Sequence, residues 1–116
     1  MEKVSTKAKK YRKLVKEIIV KIAKKKADND PVLNQTVFDD KNGQYLLLMN
    51  GWAGDNRFHA CLIHIEVTNE GKIYVHEDRT EDIIIDILLQ NGVTKKEIVV
   101  GFHPPIMRSE TDFALV

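Results

Sequence analysis

Residues 36–78 leave no room for a crossover connection between parallel strands. Tyr45 to Trp52 is strongly apolar. Phe58 to Val67 alternates, with His59, Cys61, Ile63, Ile65 and Val67 on one face and Phe58, Ala60, Leu62, His64 and Glu66 on the other. Ile73, Val75 and Glu77 then alternate with Tyr74, His76 and Asp78. Polar turns at 53–56 and 69–71 separate these segments. A shorter one, Thr36 to Phe38, precedes them across the turn 39–43, where Gly43 suits a positive φ. Turns this short join only antiparallel neighbours.

A sheet built this way needs a cover for one face, and the flanking segments supply it. Val4, Ala8, Tyr11, Leu14, Val15, Ile18, Ile19 and Ile22 recur at spacings of three and four, predicting an amphipathic helix with one apolar stripe. Ser5 or Thr6 is its candidate cap, and Asp28-Asn29-Asp30-Pro31 breaks it. A second helix follows Asp78 or Thr80, with Ile84, Ile87 and Leu88 inward and Gly92 as its stop. Thr94 and Glu97 match a capping box, and Ile98-Val99-Val100 reads as a short strand. Prolines exclude regular structure from 101–105. The order predicts an α+β fold: an N-terminal amphipathic helix, a four-stranded, mainly antiparallel sheet, a second helix, and a short C-terminal strand with a Pro-Pro loop.

The chain has 116 residues, enough for one domain, and 43% of them are hydrophobic. No apolar run approaches the roughly 20 residues that a membrane-spanning helix requires. The lone Cys61 cannot form an internal disulfide and reads as a small buried hydrophobe. No apolar segment follows the basic N-terminus as a secretory signal would require, so the expectation is a cytoplasmic protein without a membrane role. The formal net charge of +1 conceals a division. Residues 1–26 hold eleven Lys or Arg and two Glu, a balance of +9, and residues 27–116 carry −8. Lys9, Lys10, Arg12, Lys13, Lys16, Lys24, Lys25 and Lys26 could neutralise nucleic-acid phosphates or face an acidic partner. They equally suit the solvated outer face of a packed helix.

Catalytic signatures are sparse. There is no nucleophile elbow and no phosphate-binding glycine loop. His64 and His76 share a strand face if their hairpin centres on Glu70, and Asp78 lies two residues further on; together they are the candidate metal ligands. The spacing is not that of a dedicated metal motif, and a half-exposed sheet face accounts for the histidines as well. No cofactor is implied.

Taken in order, Gly51-Trp52, Arg57, Ile63-His64-Ile65, Gly71-Lys72-Ile73-Tyr74, Asp78, Thr80-Glu81, Gly92-Val93, the block Ile98 to Pro105, Arg108, Thr111 and Phe113-Ala114 resemble the XisI family, the fdxN element excision controlling factors of cyanobacteria. The resemblance covers roughly residues 34–116 and extends over one domain, 1–116, when the first helix is included. It departs at Arg79, where family members often have glycine, so a positive-φ turn there is expected to be altered or absent. The resemblance implies a factor controlling DNA excision beside a recombinase and a companion protein, XisH; the leading expectation is a non-enzymatic accessory factor that binds this partner. Trp52, Arg57, His103, Pro104, Pro105 and Arg108 are the expected partner-binding surface, because aromatic, Arg and rigid Pro side chains anchor interfaces at low entropic cost. Direct, nonspecific DNA binding through the Lys-rich helix is the alternative, and metal-dependent hydrolysis a third. The sequence leaves open whether the chain forms a homo-oligomer.

Overall fold

The computed structural model describes residues 3–25, 32–80, 83–102 and 113–114. Helix α1 spans Thr6–Lys24, and the strands are β1 Val32–Asp39, β2 Gln44–Ala53, β3 Asn56–Val67 and β4 Ile73–Asp78. Helix α2, Ile84–Gln90, a 3-10 turn at Lys95–Glu97 and strand β5, Ile98–Val100, complete the order. The sheet runs β1-β2-β3-β4-β5. The first four strands pair antiparallel, and β5 lies parallel to β4. The α+β class is as expected, but the sheet has five strands rather than four. The short C-terminal strand joins it because residues 79–97 are long enough to carry the chain across.

Both helices pack against one face. The α1 stripe Ala8, Tyr11, Val15, Ile18, Ile19 and Ile22 is buried against Tyr45, Leu47, Ile63, Ile65, Val67, Ile73, Val75 and Ile98, and Ile84 and Leu88 of α2 join the same core. Each such aliphatic side chain contributes about 1.5–3 kcal/mol on burial. Ser5 caps α1, its Oγ accepting the Ala8 N–H at 3.0 Å. α2 has no side-chain cap from its adjacent Ile83. Asp78 substitutes from a distance: Oδ2 accepts the Ile84 N–H at 3.0 Å, and Oδ1 accepts from the Thr80 N–H and hydroxyl.

Two β-bulges alter the alternation read from sequence. Leu47 pairs with Ile63 but Leu48 pairs with Cys61, so Leu62 is an extra residue. Ile63, Ile65 and Val67 therefore face the helices, whereas Cys61 sits across from Leu48 on the open face. The second bulge lies in β4. Glu66 pairs with Tyr74 and Ile65 with Val75, a register centred on Glu70 as expected, but His64 then pairs with Glu77 and Ile63 with Asp78.

Candidate partner interface

The bulge at Leu62 marks where the core ends. No residue from Leu48 to Leu62 is buried, so this part of the β2–β3 hairpin extends past the buried core. Its tip is a two-residue turn with Gly54 at φ +61°, and Ala53 pairs with Asn56. Trp52 pairs with Arg57 one step behind it. Trp52 is 57% exposed. The Arg57 guanidinium lies 5.5 Å from the centre of the indole ring, and Nη1 donates to the Gly51 carbonyl at 3.2 Å. Each side chain thus holds the other in place while both remain accessible. Exposed Phe58, across from Gly51, lies on the opposite face of this arm from the Trp52–Arg57 pair. Alternation alone does not single out Phe58, because it does not say where the helix cover stops. His103, Pro104, Pro105 and Arg108 lie outside the described residues, as does Lys26.

The basic helix divides into two groups. Lys9, Lys10, Lys13 and Lys24 are exposed, as is Lys25. Arg12 is not part of that face: it is buried, with Nε and Nη2 donating to the Val67 carbonyl, Nη1 to the Asp40 carbonyl and Nη2 to Asn69 Oδ1. Lys16 is committed to Asp40 Oδ2 at 2.9 Å. Hydrogen bonds from Tyr45 and Lys16 hold the Asp40 carboxyl below the usual carboxylate range. Both residues thus fasten α1 to the β1–β2 turn.

The open face carries the histidines. The His64 and His76 rings are 4.7 Å apart. His64 Nε2 lies 2.7 Å from Gln44 Oε1, and His76 Nε2 lies 2.9 Å from Glu66 Oε1. Burial, with help from His76, pushes His64 below the usual histidine range. Asp78 does not join them, because the β4 bulge turns it to the cap of α2. Among the described residues no three histidine, cysteine or acidic side chains are grouped to hold a metal ion. Burial, then Glu77, pushes the Cys61 thiol up, which leaves little thiolate. A groove lies between α1 and α2, on Leu14, Ile18, Ile22 and Ile87; its described lining holds Glu17 but no histidine, cysteine or serine.

The family profile described as XisI protein matches residues 2–115. The chain belongs to the XisI family. Among solved structures it is similar to a XisI-like protein from Anabaena variabilis ATCC 29413, with 29% identity, coverage of 94% of this chain and 99% of that one, and a TM-score of 0.87. It is also similar to the fdxN element excision controlling factor XisI from the same organism, with 34% identity, coverage of 95% and 99%, and a TM-score of 0.80. No curated protein matches it. Two positions, one that matches the XisI family and one that departs from it, have a structural explanation in this chain. Gly101 approaches β4 so closely that a Cβ there would sit 3.0 Å from His76 Nδ1 and from the Val75 carbonyl oxygen. Arg79 needs no left-handed backbone, since no non-glycine residue among those described has a positive φ; its N–H donates to the Leu62 carbonyl at the first bulge.

Proposed function

We propose that this XisI-family chain is an accessory factor controlling site-specific excision of a DNA element, and that it acts by binding an XisH-like companion protein rather than by catalysis. The observation that carries this reading is the Trp52–Arg57 pair, exposed on a hairpin that projects from the core. Trp and Arg are enriched among the residues that dominate binding energy. Their mutual stacking lowers the entropy lost when a partner docks. The likeness to a protein named as the fdxN element excision controlling factor supports the biological setting. His103, Pro104, Pro105 and Arg108 are assigned to the same surface from sequence alone.

The test is calorimetric titration with the purified companion. Trp52→Ala is expected to cost about 2 kcal/mol or more, roughly thirtyfold in Kd, as hot-spot truncations do. The thermal midpoint should stay nearly constant, because the side chain is exposed. Affinity unchanged in Trp52→Ala, Arg57→Ala and Arg108→Ala alike would remove the surface from consideration.

Nonspecific DNA binding is the second reading, favoured by the exposure of Lys9, Lys10, Lys13 and Lys24 along one helix.

A further inference from the structure

Strand β1 forms one edge of the sheet, with β2 on its inner side and no described strand on its outer side. Edge strands of monomers are commonly short, charged, bulged or interrupted by proline, which keeps their open hydrogen-bonding groups from templating another chain. The opposite edge follows that rule, since β5 has only three residues. β1 does not. It has eight residues, pairs with β2 without a bulge, and carries no charge before Asp39.

Its central sequence is also symmetric in polarity. Leu33-Asn34-Gln35-Thr36-Val37 reads apolar, polar, polar, polar, apolar in either direction. Two copies of this strand laid antiparallel about Gln35 would set Leu33 against Val37 twice, Asn34 against Thr36 twice, and Gln35 against its own equivalent. A twofold interface requires such self-complementarity. Leu33 and Val37 are 61% and 45% exposed and share the open face with Gln35. Lys16, Val20 and Ala23 lie along one strip of α1 at i, i+4 and i+7. Lys16 ties α1 to Asp40, in the turn that follows β1.

We infer that β1 is a homodimerisation edge, with a second copy of this chain pairing antiparallel about Gln35 to give one continuous ten-stranded sheet. An edge pairing of this length is at the small end of stable interfaces, so the dimer is concentration-dependent. It is independent of the Trp52–Arg57 surface and leaves both hairpin arms free.

Sedimentation velocity over a range of protein concentrations reads the assembly directly. The wild-type chain should pass from monomer to dimer. Gln35→Lys and Gln35→Glu each place like charges across the axis and should weaken the dimer by about fivefold. An equimolar mixture of the two variants should restore it, because the opposed charges then attract. Circular dichroism confirms that each variant is folded. A wild-type monomer at every concentration, a dimer indifferent to Gln35→Lys, or a mixture that fails to recover would each overturn the inference. So would an edge that pairs only with a strand of another protein.

Discussion

Arg12 is where the helix meets two turns of the sheet. Its buried guanidinium donates to the carbonyls of Asp40 and Val67 and to the side-chain oxygen of Asn69, so one side chain ties α1 to two strand ends. Gly43 is what lets it approach. At φ +65° a Cβ would overlap the Val67 carbonyl oxygen and sit 2.7 Å from Arg12 Nη2. A side chain at this position adds the strain of left-handed backbone to a clash with a carbonyl that cannot move freely. Gly43→Ala should therefore lower stability by about 2–3 kcal/mol, the sum of a left-handed penalty and modest overpacking. Urea denaturation measures it; an unchanged midpoint would mean that the turn opens without disturbing Arg12. By contrast Gly54, also at positive φ, has open space around the Cβ direction, so only the backbone strain applies there.

Between elements, the clearest clasp is Glu97. Its carboxylate in the 3-10 turn accepts from Tyr11 at 2.7 Å and from the Thr94 N–H at 3.1 Å, and pairs with Lys7 at 2.9 Å. Burial acts to raise this carboxyl, but the hydrogen bonds from Lys7, Tyr11 and Thr94 outweigh it and hold its pKa at about 2. The unfolded chain takes up a proton near 4.5, the folded chain only near 2, so the clasp is fully present above pH 4.5 and is lost as pH falls towards 2. Thermal midpoints measured over that window should fall less in Glu97→Gln than in the wild type; parallel curves would show that the clasp contributes nothing. The capping pair Thr94 and Glu97 was legible in the sequence, but its link to Tyr11 was not, since the two residues are 86 positions apart. The same division holds across the sheet. The α1 stripe, the antiparallel order and the hairpin centred on Glu70 follow from periodicity and turn length. The bulges at Leu62 and in β4 do not, because a bulge is a relation between two strands. For that reason Cys61 faces opposite to its expected side, and Asp78 leaves the histidines for α2. Trp52 and Arg57 were legible as residue types; their stacking depended on a turn register that only the folded hairpin fixes.

Across the whole molecule, the charge division sets a limit on what α1 does by itself. Residues 1–26 carry +9, and the remainder carries −8. Arg12 and Lys16 are engaged within the fold, whereas Lys9, Lys10, Lys13 and Lys24 of the candidate DNA-binding set are exposed along α1. Each phosphate neutralised on duplex DNA contributes a slope of about −0.9 to the dependence of log affinity on log salt. If these four lysines each met a phosphate, raising salt from about 50 to about 200 mM would weaken binding by roughly a hundredfold. The acidic body repels the duplex at the same time. The expectation is that the chain alone does not retain labelled duplex DNA in fluorescence anisotropy at about 200 mM salt, whereas the chain with the proposed companion protein does if that companion supplies the phosphate contacts. Lys9→Gln, Lys10→Gln and Lys13→Gln together should then leave DNA retention by the pair intact, while Trp52→Ala should abolish this chain's part in it. Retention by the chain alone, lost in the triple lysine variant, would make α1 the functional surface and displace the partner-directed reading.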